Sequence, residues 1–176
     1  MDIPRVSDLS DKKKKLLRLI MDGKEETEDQ KIPPRKDTTS EPPLSHVQER
    51  MWFLSQLATP YPNNLPSAVR LKGTLDIPAL QKAFNAVIQR HEALRTTFPV
   101  ISGTPVQRIA KEVSIPIPVT GLDHLPDGGR EAAFYQEAKA EISRTFDLAA
   151  DSPIRIKLYR LAEDDHLLLL IAHHII

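Results

Sequence analysis

The side chains best suited to chemistry stand near the end of this 176-residue chain, where His173 and His174 follow a run of apolar residues. An imidazole titrates near neutral pH, so a positioned histidine can act as a general base. Residues on a strand alternate between its two faces, so these two histidines cannot hold one ion together while the chain is extended. The residues alone leave two interpretations open: a general base at the end of a strand, or a hydrogen-bonded structural histidine.

Other kinds of catalytic site have little support in the sequence. The chain has no cysteine, which excludes disulfides, cysteine nucleophiles and thiolate metal sites. No spaced histidine pair completes a zinc set, and no G-x-S-x-G turn presents a serine nucleophile. Lys plus Arg equals Asp plus Glu, at 24 each, so charge argues against a nucleic-acid or membrane-surface protein. Because the N-terminus is not a secretory signal, we expect a cytoplasmic protein.

The histidines end the longest apolar run of the chain, residues 166–176. This run is too short to span a membrane and does not alternate, which predicts a strand buried on both faces in the middle of a covered sheet. Residues 154–159 alternate between apolar and polar side chains, which predicts a strand with one wet face. The loop at 162–165 would join the two strands as a hairpin.

Three helices are predicted between residue 44 and this hairpin. Ser45 and Gln48 form a capping box at the start of the first helix, whose apolar face is predicted to include Val47 and Phe53. Asp76 caps the second, whose apolar stripe from Leu80 to Leu94 includes His91, predicted to be a buried core residue. Glu92 and Arg95 lie one helical turn apart and can pair. A third helix begins at about residue 130, with Phe134, Ala138 and Ile142 on one face.

The remaining segments are predicted to be short strands or extended segments that cover other elements. Residues 69–72 alternate as a half-buried strand that Gly73 ends. Residues 96–101 and 106–109 predict two strands around the turn at 102–105. Residues 113–119 carry Pro116 and Pro118 and predict an edge strand or an extended cover. Helices and strands intermix without a repeat, which predicts a two-layer α/β (α+β) architecture.

Residues 1–43 differ from the rest in composition. Ser10 could cap a short helix that ends at Gly23, and the Lys12–Lys15 run reads as its solvated face. Residues 22–43 are polar, charged and proline-bearing, which predicts a linker. We therefore divide the chain into an N-terminal helix and flexible linker, 1–43, and a globular part, 44–176.

Three segments resemble the motifs of one enzyme family, the condensation domains of nonribosomal peptide synthetases. Residues 45–54, SHVQERMWFL, resemble S-x-A-Q-x-R-[LM]-[WY]-x-L, with Val47 in place of alanine; residues 90–98, RHEALRTTF, match R-H-E-x-L-R-T-x-F; and residues 173–176, HHII, resemble the start of H-H-x-x-x-D-G. Two short segments, residues 73–76 (GTLD) and 145–148 (TFDL), also resemble sequences of this family. The three motifs occur in the family's order, which makes the resemblance specific.

The resemblance implies a two-lobed fold in which each lobe is similar to a chloramphenicol acetyltransferase subunit. It covers residues 44–176, most of the first lobe, so we expect a truncated N-terminal lobe that ends two residues before the motif's aspartate. With the second lobe absent, we expect the apolar face of the last strand to meet water. We also expect the isolated chain to aggregate and to be inactive.

The activity that the resemblance implies is peptide-bond formation between substrates tethered to upstream and downstream carrier domains. The substrates are attached to the phosphopantetheine arms of those carriers, and the lobe itself is expected to bind no cofactor. His174 is implied as the catalytic residue, a base or positioning group for the attacking amine, and His173 as a mainly structural neighbour. Arg95 is implied to be scaffold.

Three rival functions remain. An epimerisation domain shares the H-H motif, but the match over residues 90–98 argues against it. A stand-alone acyltransferase of the same fold is disfavoured by the segment at 45–54. A non-catalytic remnant could use residues 1–43 as a docking segment and bind a carrier protein or partner chain.

Overall fold

A computed structural model describes residues 41–57 and 63–176. The helices are α1 (His46–Gln56), α2 (Ile77–Arg90) and α3 (Asp127–Ser143), and a 3₁₀ turn spans Glu92–Arg95. The long strands are β1 (Asn64–Lys72), β7 (Ile154–Ala162) and β8 (Asp165–His173). The short strands are β2 (Thr96–Thr97), β3 (Val100–Ile101), β4 (Thr104–Pro105), β5 (Arg108–Ile109) and β6 (Val119–Gly121). The mixed α/β class predicted from the sequence is confirmed.

The strand that ends in His173 lies inside the main sheet. The sheet has the order β1-β8-β7-β6, in which β8 pairs antiparallel with both of its neighbours and β6 runs parallel to β7. Both long neighbours follow β8 along nearly its whole length, and none of its nine residues is exposed. The predicted buried central strand and its hairpin partner are thus confirmed.

Helices cover both faces of this sheet. Phe134 and Ala138 of α3 pack with Tyr159, Leu169 and Ile171 on one face. On the other face Ile88 of α2 packs with the residues of β7 and β8 that point the opposite way, which are Ile154, Ile156, Leu158 and Leu168. Because β8 is apolar on both sides, the sheet needs cover on both faces.

The predicted wet face of β7 is also covered. Arg155 and Lys157 are only partly exposed, and Tyr159 is fully buried against Phe134 of α3. The Lys157 ammonium reaches the rim of α3, where it lies 2.9 Å from the Glu137 carboxylate. Long side chains can bury their apolar stems while their charged ends find partners, which explains the alternating pattern in a covered strand.

The exposed apolar residues lie elsewhere than expected. The expectation that the β8 face would meet water is wrong, since Leu168, Leu169 and Ile171 are each at most 8% exposed. Within the main sheet, apolar residues that do meet water include two on β1, where Leu65 is 47% and Val69 is 49% exposed, so this strand is not half-buried as predicted. The cause is position, because β1 is an edge strand of the sheet.

Ion pairs hold the edge strand to its neighbour. Asp165, which is buried, accepts hydrogen bonds from Arg70 at 2.6 and 2.9 Å and from Lys72 at 2.7 Å. These bonds, from Arg70 first, keep the pKa of the Asp165 carboxyl well below its usual range. The ionised carboxylate therefore fastens β1 to the start of β8.

The helix starts follow the predicted capping rules, but two burial predictions were wrong. Asp76 accepts the Ala79 N–H at 2.9 Å and caps α2. That helix ends at Arg90, so His91 is its C-terminal cap and is exposed, not a residue of the buried stripe. On α1, Val47 and Phe53 are 63% and 60% exposed, because it is Met51 and Trp52 that pack against the core.

The proline-bearing segment is an extended cover that becomes an edge strand. Gln81 of α2 accepts the Ile117 N–H at 2.8 Å and donates to the Ile115 carbonyl at 2.6 Å, so its amide replaces a strand partner. The parallel ladder with β7 begins where Leu158 N–H donates to the Pro118 carbonyl at 2.9 Å. Pro118 has no N–H, so the ladder cannot continue toward the start of β7.

The segment between β2 and β5 forms two small ladders rather than two continuous strands. Its turn at Ser102 and Gly103 has positive φ at both residues, +50° and +82°, which matches a two-residue hairpin turn. The third helix starts at Asp127, three residues before the predicted start.

The N-terminal predictions lie mostly outside the described residues. The helix capped by Ser10, the Lys12–Lys15 run and most of the predicted linker belong to residues 1–40. Residues 41–43 are attached to the globular part, since the Pro42 carbonyl accepts the Gln107 N–H at 2.9 Å and Glu41 pairs with Arg108 at 2.6 Å. Within residues 41–57 and 63–176, no helix has the length and apolarity needed to cross a bilayer.

Candidate functional site

The end of β8 places His173 in the core. Its N–H donates to the Pro153 carbonyl at 2.8 Å, and the residue is only 5% exposed. Its ring meets the Phe146 ring edge-on, with the centroids 5.8 Å apart and the planes at 76°. The imidazole is therefore held by packing, as a structural histidine would be.

A guanidinium supports the other side of this packing. The Arg155 Cζ lies 3.8 Å from the centroid of the Phe146 ring. The same guanidinium donates to three carbonyls at the end of α3, those of Glu141, Arg144 and Thr145, at 3.1, 2.7 and 3.1 Å. A cation at a helix C-terminus satisfies orphan carbonyls and opposes the helix dipole. Arg155 thus joins α3 to the aromatic ring beneath His173.

The environment keeps His173 neutral. Burial, followed by the neighbouring His174 and Arg155, lowers the pKa of His173 to about 4. A neutral imidazole has one ring nitrogen free to accept a hydrogen bond. Here Nδ1 accepts the N–H of Ile175 at 3.2 Å, so the buried histidine closes the turn that follows it.

The turn after β8 presents His174 to solvent. The His174 N–H donates to the Asn63 carbonyl at 2.8 Å, and the Ile176 N–H donates to the His173 carbonyl at 3.3 Å. Ile175 is 3% exposed and anchors the turn in the core, whereas His174 is exposed. The structure therefore separates the two predicted site residues, with one inside the core and one outside.

The first motif meets the third in space. The Gln48 side chain completes the predicted capping box: its Oε1 accepts the Ser45 N–H at 2.9 Å, and the Gln48 N–H donates to the Ser45 hydroxyl at 3.3 Å. Its Nε2 also donates to the Ile175 carbonyl at 3.2 Å, across 127 positions of sequence. Sequence reasoning assigned Gln48 to the helix cap alone and missed this contact.

Arg95, from the second motif, serves a different corner of the fold. It donates to the carbonyls of Gln89 and Ala110 and pairs with Glu92 at 3.7 Å, as predicted. Among residues 41–57 and 63–176, its hydrogen bonds and its ion pair all lie between the end of α2 and β5. These contacts agree with the scaffold role that the resemblance implied.

Sequence reasoning also missed Phe146 and Arg155. Phe146 lies in segment 145–148, which was noted only for its resemblance to the family. Arg155 was predicted to face solvent. The available signal was the double burial predicted for β8, because its hairpin partner must then also lie under cover. A cavity of about 380 Å³ opens beside Arg155, between β7, the 115–118 segment and the end of α3, but neither histidine lines it.

Comparisons with known proteins agree with these motifs. Residues 38–176 match the family model described as Condensation domain. The chain is 42% identical over 157 residues to a linear gramicidin synthase of Brevibacillus parabrevis, and the match covers 88% of this chain and 3% of that protein.

Two solved structures have a similar fold. The X-domain from teicoplanin biosynthesis, in a complex with OxyB, is 29% identical with a TM-score of 0.67, covering 81% of this chain and 29% of that one. The starter condensation domain of rhizomide synthetase is 24% identical with a TM-score of 0.69, covering 78% of this chain and 33% of that one. The chain therefore spans about a third of each of these structures.

Proposed function

The chain belongs to the condensation domain family, and on that premise we propose that it supplies the N-terminal lobe and the reacting histidine of an amide-forming domain in a nonribosomal peptide synthetase. The complete domain joins aminoacyl or peptidyl groups that upstream and downstream carrier domains present as thioesters. His174 is the catalytic residue of this proposal, and His173 is the structural neighbour that holds it.

One observation carries the proposal: an exposed imidazole stands on a turn that is fixed to the core on both sides. The His174 N–H is bound by Asn63, and Ile175, the next residue, is buried. A general base must be both accessible and held within reach of the proton that it takes. His174 combines these two properties, whereas His173 is held but inaccessible.

The main requirement of this reaction is that the protein place the two tethered substrates next to each other. The amine nitrogen of the downstream substrate attacks the thioester carbonyl of the upstream one. A C–N bond forms, the C–S bond breaks, and the phosphopantetheine thiol leaves with a proton. His174 accepts the proton that the amine loses, or orients the amine. Placement of two tethered reactants can lower a barrier by about 7–11 kcal/mol, and a general base adds roughly 10²–10⁴-fold.

The partners follow from this reaction. The carrier domains bring their substrates on phosphopantetheine arms, so the lobe needs no bound cofactor. The other lobe of the domain supplies the opposite wall of the reaction channel. We place the reaction in the cytoplasm, because a chain without cysteine suits a reducing compartment.

The test uses a hybrid synthetase in which residues 41–176 replace the aligned segment of the linear gramicidin synthase compared above. We expect His174→Ala to reduce condensation by roughly 10²–10⁴-fold while the binding of both carriers is retained. His46→Ala is the matched control, because His46 is a fully exposed histidine on α1 and should leave the rate unchanged. Condensation by the His174→Ala hybrid at the rate of the unmodified hybrid would exclude the catalytic role.

A second candidate is a lobe that binds a partner without catalysis. The X-domain that resembles this chain is known from a complex with OxyB, and α1 exposes Val47 and Phe53 together with Leu57 just beyond its end. We would measure the binding of carrier proteins to the 176-residue chain with and without residues 1–40. Binding together with an inactive hybrid would favour this second function.

A further inference from the structure

Gln48 makes two kinds of contact with one amide group. Its oxygen accepts the Ser45 N–H at the start of α1, and its Nε2 donates to the Ile175 carbonyl at 3.2 Å. The first contact is local and stabilises a helix end. The second reaches across the fold to the residue that directly follows His174.

The second contact completes the immobilisation of the turn. The N–H of Ile175 is held by His173 Nδ1, and its carbonyl is held by Gln48. On the other side, the His174 N–H is held by the Asn63 carbonyl. Asn63 and His173 thus hold the peptide groups on the two sides of His174, and Gln48 holds the peptide group that follows Ile175. The side chain of His174 is left with only its own rotations.

We propose that Gln48 is a positioning residue, which ties α1 to the histidine turn and sets the direction in which the exposed imidazole points. The inference rests on the proposed function, because it explains how the reacting group is aimed. It also gives a physical reason why a helix-start motif and a histidine motif occur in the same chain: one side chain belongs to both.

Only an amide of this length serves both contacts. A glutamate at position 48 would keep the capping-box acceptor, because Glu and Gln both serve there. Its carboxylate would have no hydrogen to donate and would face the Ile175 carbonyl oxygen. Gln48→Glu therefore removes the tether and keeps the cap. Gln48→Ala removes the tether and the side-chain half of the capping box, and keeps only the bond from the backbone N–H of residue 48 to the Ser45 hydroxyl.

The first measurement is amide hydrogen exchange in the 176-residue chain. We expect Gln48→Glu to accelerate exchange at Ile175 and Ile176 while the amides within α1 keep their protection. Gln48→Ala should accelerate exchange in both places. Gln56→Glu is the control, since it makes the same charge change on an exposed residue of α1 that bonds to Ser55. Unchanged exchange at Ile175 and Ile176 in Gln48→Glu would overturn the tether.

The second measurement is turnover in the hybrid synthetase. Loss of the hydrogen bond to Ile175 should lower kcat by about 3- to 10-fold, because the His174 imidazole is no longer held in its orientation. The KM for either carrier should stay unchanged, because the variant still binds both carriers. A rise in KM at constant kcat, or no change at all, would overturn the positioning role. If His174→Ala slows the hybrid and Gln48→Glu does not, the proposed function stands and this inference fails. If His174→Ala has no effect, the proposed function is wrong, and so is the part of the inference that assigns Gln48 a role in catalysis.

Discussion

The end of β8 and the turn that follows it place two identical side chains in opposite surroundings. His173 is buried against Phe146, and desolvation lowers its pKa to about 4. His174 is exposed one residue later, because the strand ends between them and Ile175 takes the buried position. The residue type fixes what chemistry an imidazole could do, whereas the point at which the strand ends decides which of the two imidazoles is accessible to solvent.

The strongest way to break this contrast is to remove the ring beneath His173. Phe146→Ala should lower the free energy of unfolding by about 3–5 kcal/mol, because Phe146 is 9% exposed and contacts both His173 and Arg155. Urea denaturation of the 176-residue chain measures this loss. Phe53→Ala, at a residue that is 60% exposed, should change stability by no more than about 0.5 kcal/mol. Equal losses in the two variants would show that the ring does not support the site.

A smaller loss is expected from the guanidinium. Arg155→Met should lower the free energy of unfolding by about 1–3 kcal/mol, because three helix-end carbonyls lose their donor. It should also raise the pKa of His173, since the Arg155 charge is one of the causes that lower it. Arg160→Met, at an exposed residue paired with Asp123, should cost less than about 1 kcal/mol. A stability gain in Arg155→Met would mean that desolvation of the charge outweighs its contacts.

The pH dependence sharpens the contrast further. The folded-state pKa of His173, about 4, lies below the ordinary value of about 6.5, so folding favours its neutral form. Its contribution to stability is present above pH 6.5 and is lost as the pH falls toward 4. We expect urea midpoints to decline over this window in the parent chain and to decline less in His173→Gln. His174→Gln should keep most of the parent's decline, because His174 is a lesser cause than burial of the lowered pKa of His173. A profile as flat as that of His173→Gln would mean that the titration had been assigned to the wrong histidine.

The smallest effect is expected at His91. Its exposed position at the end of α2 predicts that His91→Ala changes the free energy of unfolding by no more than about 0.5 kcal/mol. The buried position suggested by the apolar stripe would have predicted a larger loss. Thermal denaturation of the parent and the variant, at a pH where histidine is neutral, distinguishes the two.

Local rules predicted much of this fold because they act over a few residues. The Ser45–Gln48 capping box, the Asp76 cap and the Glu92–Arg95 pair all form as the spacing indicates. The β8 strand is central because eleven residues, 166–176, include no charged side chain apart from any protonated histidine, and such a run must be covered on both faces.

Predictions failed where burial depends on distant neighbours. Periodicity places His91 and Val47 on apolar stripes, but neither is buried: α2 ends just before His91, and α1 packs through Met51 and Trp52. Arg155 was predicted to face solvent, because the alternation of apolar and polar residues in β7 does not reveal that α3 covers this strand. The edge position of β1 exposes Val69 for the same reason.

Residue types and short spacings were enough to predict most of the elements, the central strand, the histidine pair and the family to which they belong. Long-range packing decides which histidine is accessible. It also brings Gln48 to the turn after β8, and Phe146 and Arg155 to the end of that strand. These residues come from α1, from the segment after α3 and from β7, and long-range packing alone brings them together. Such packing depends on every covering element at once, so no local pattern records it.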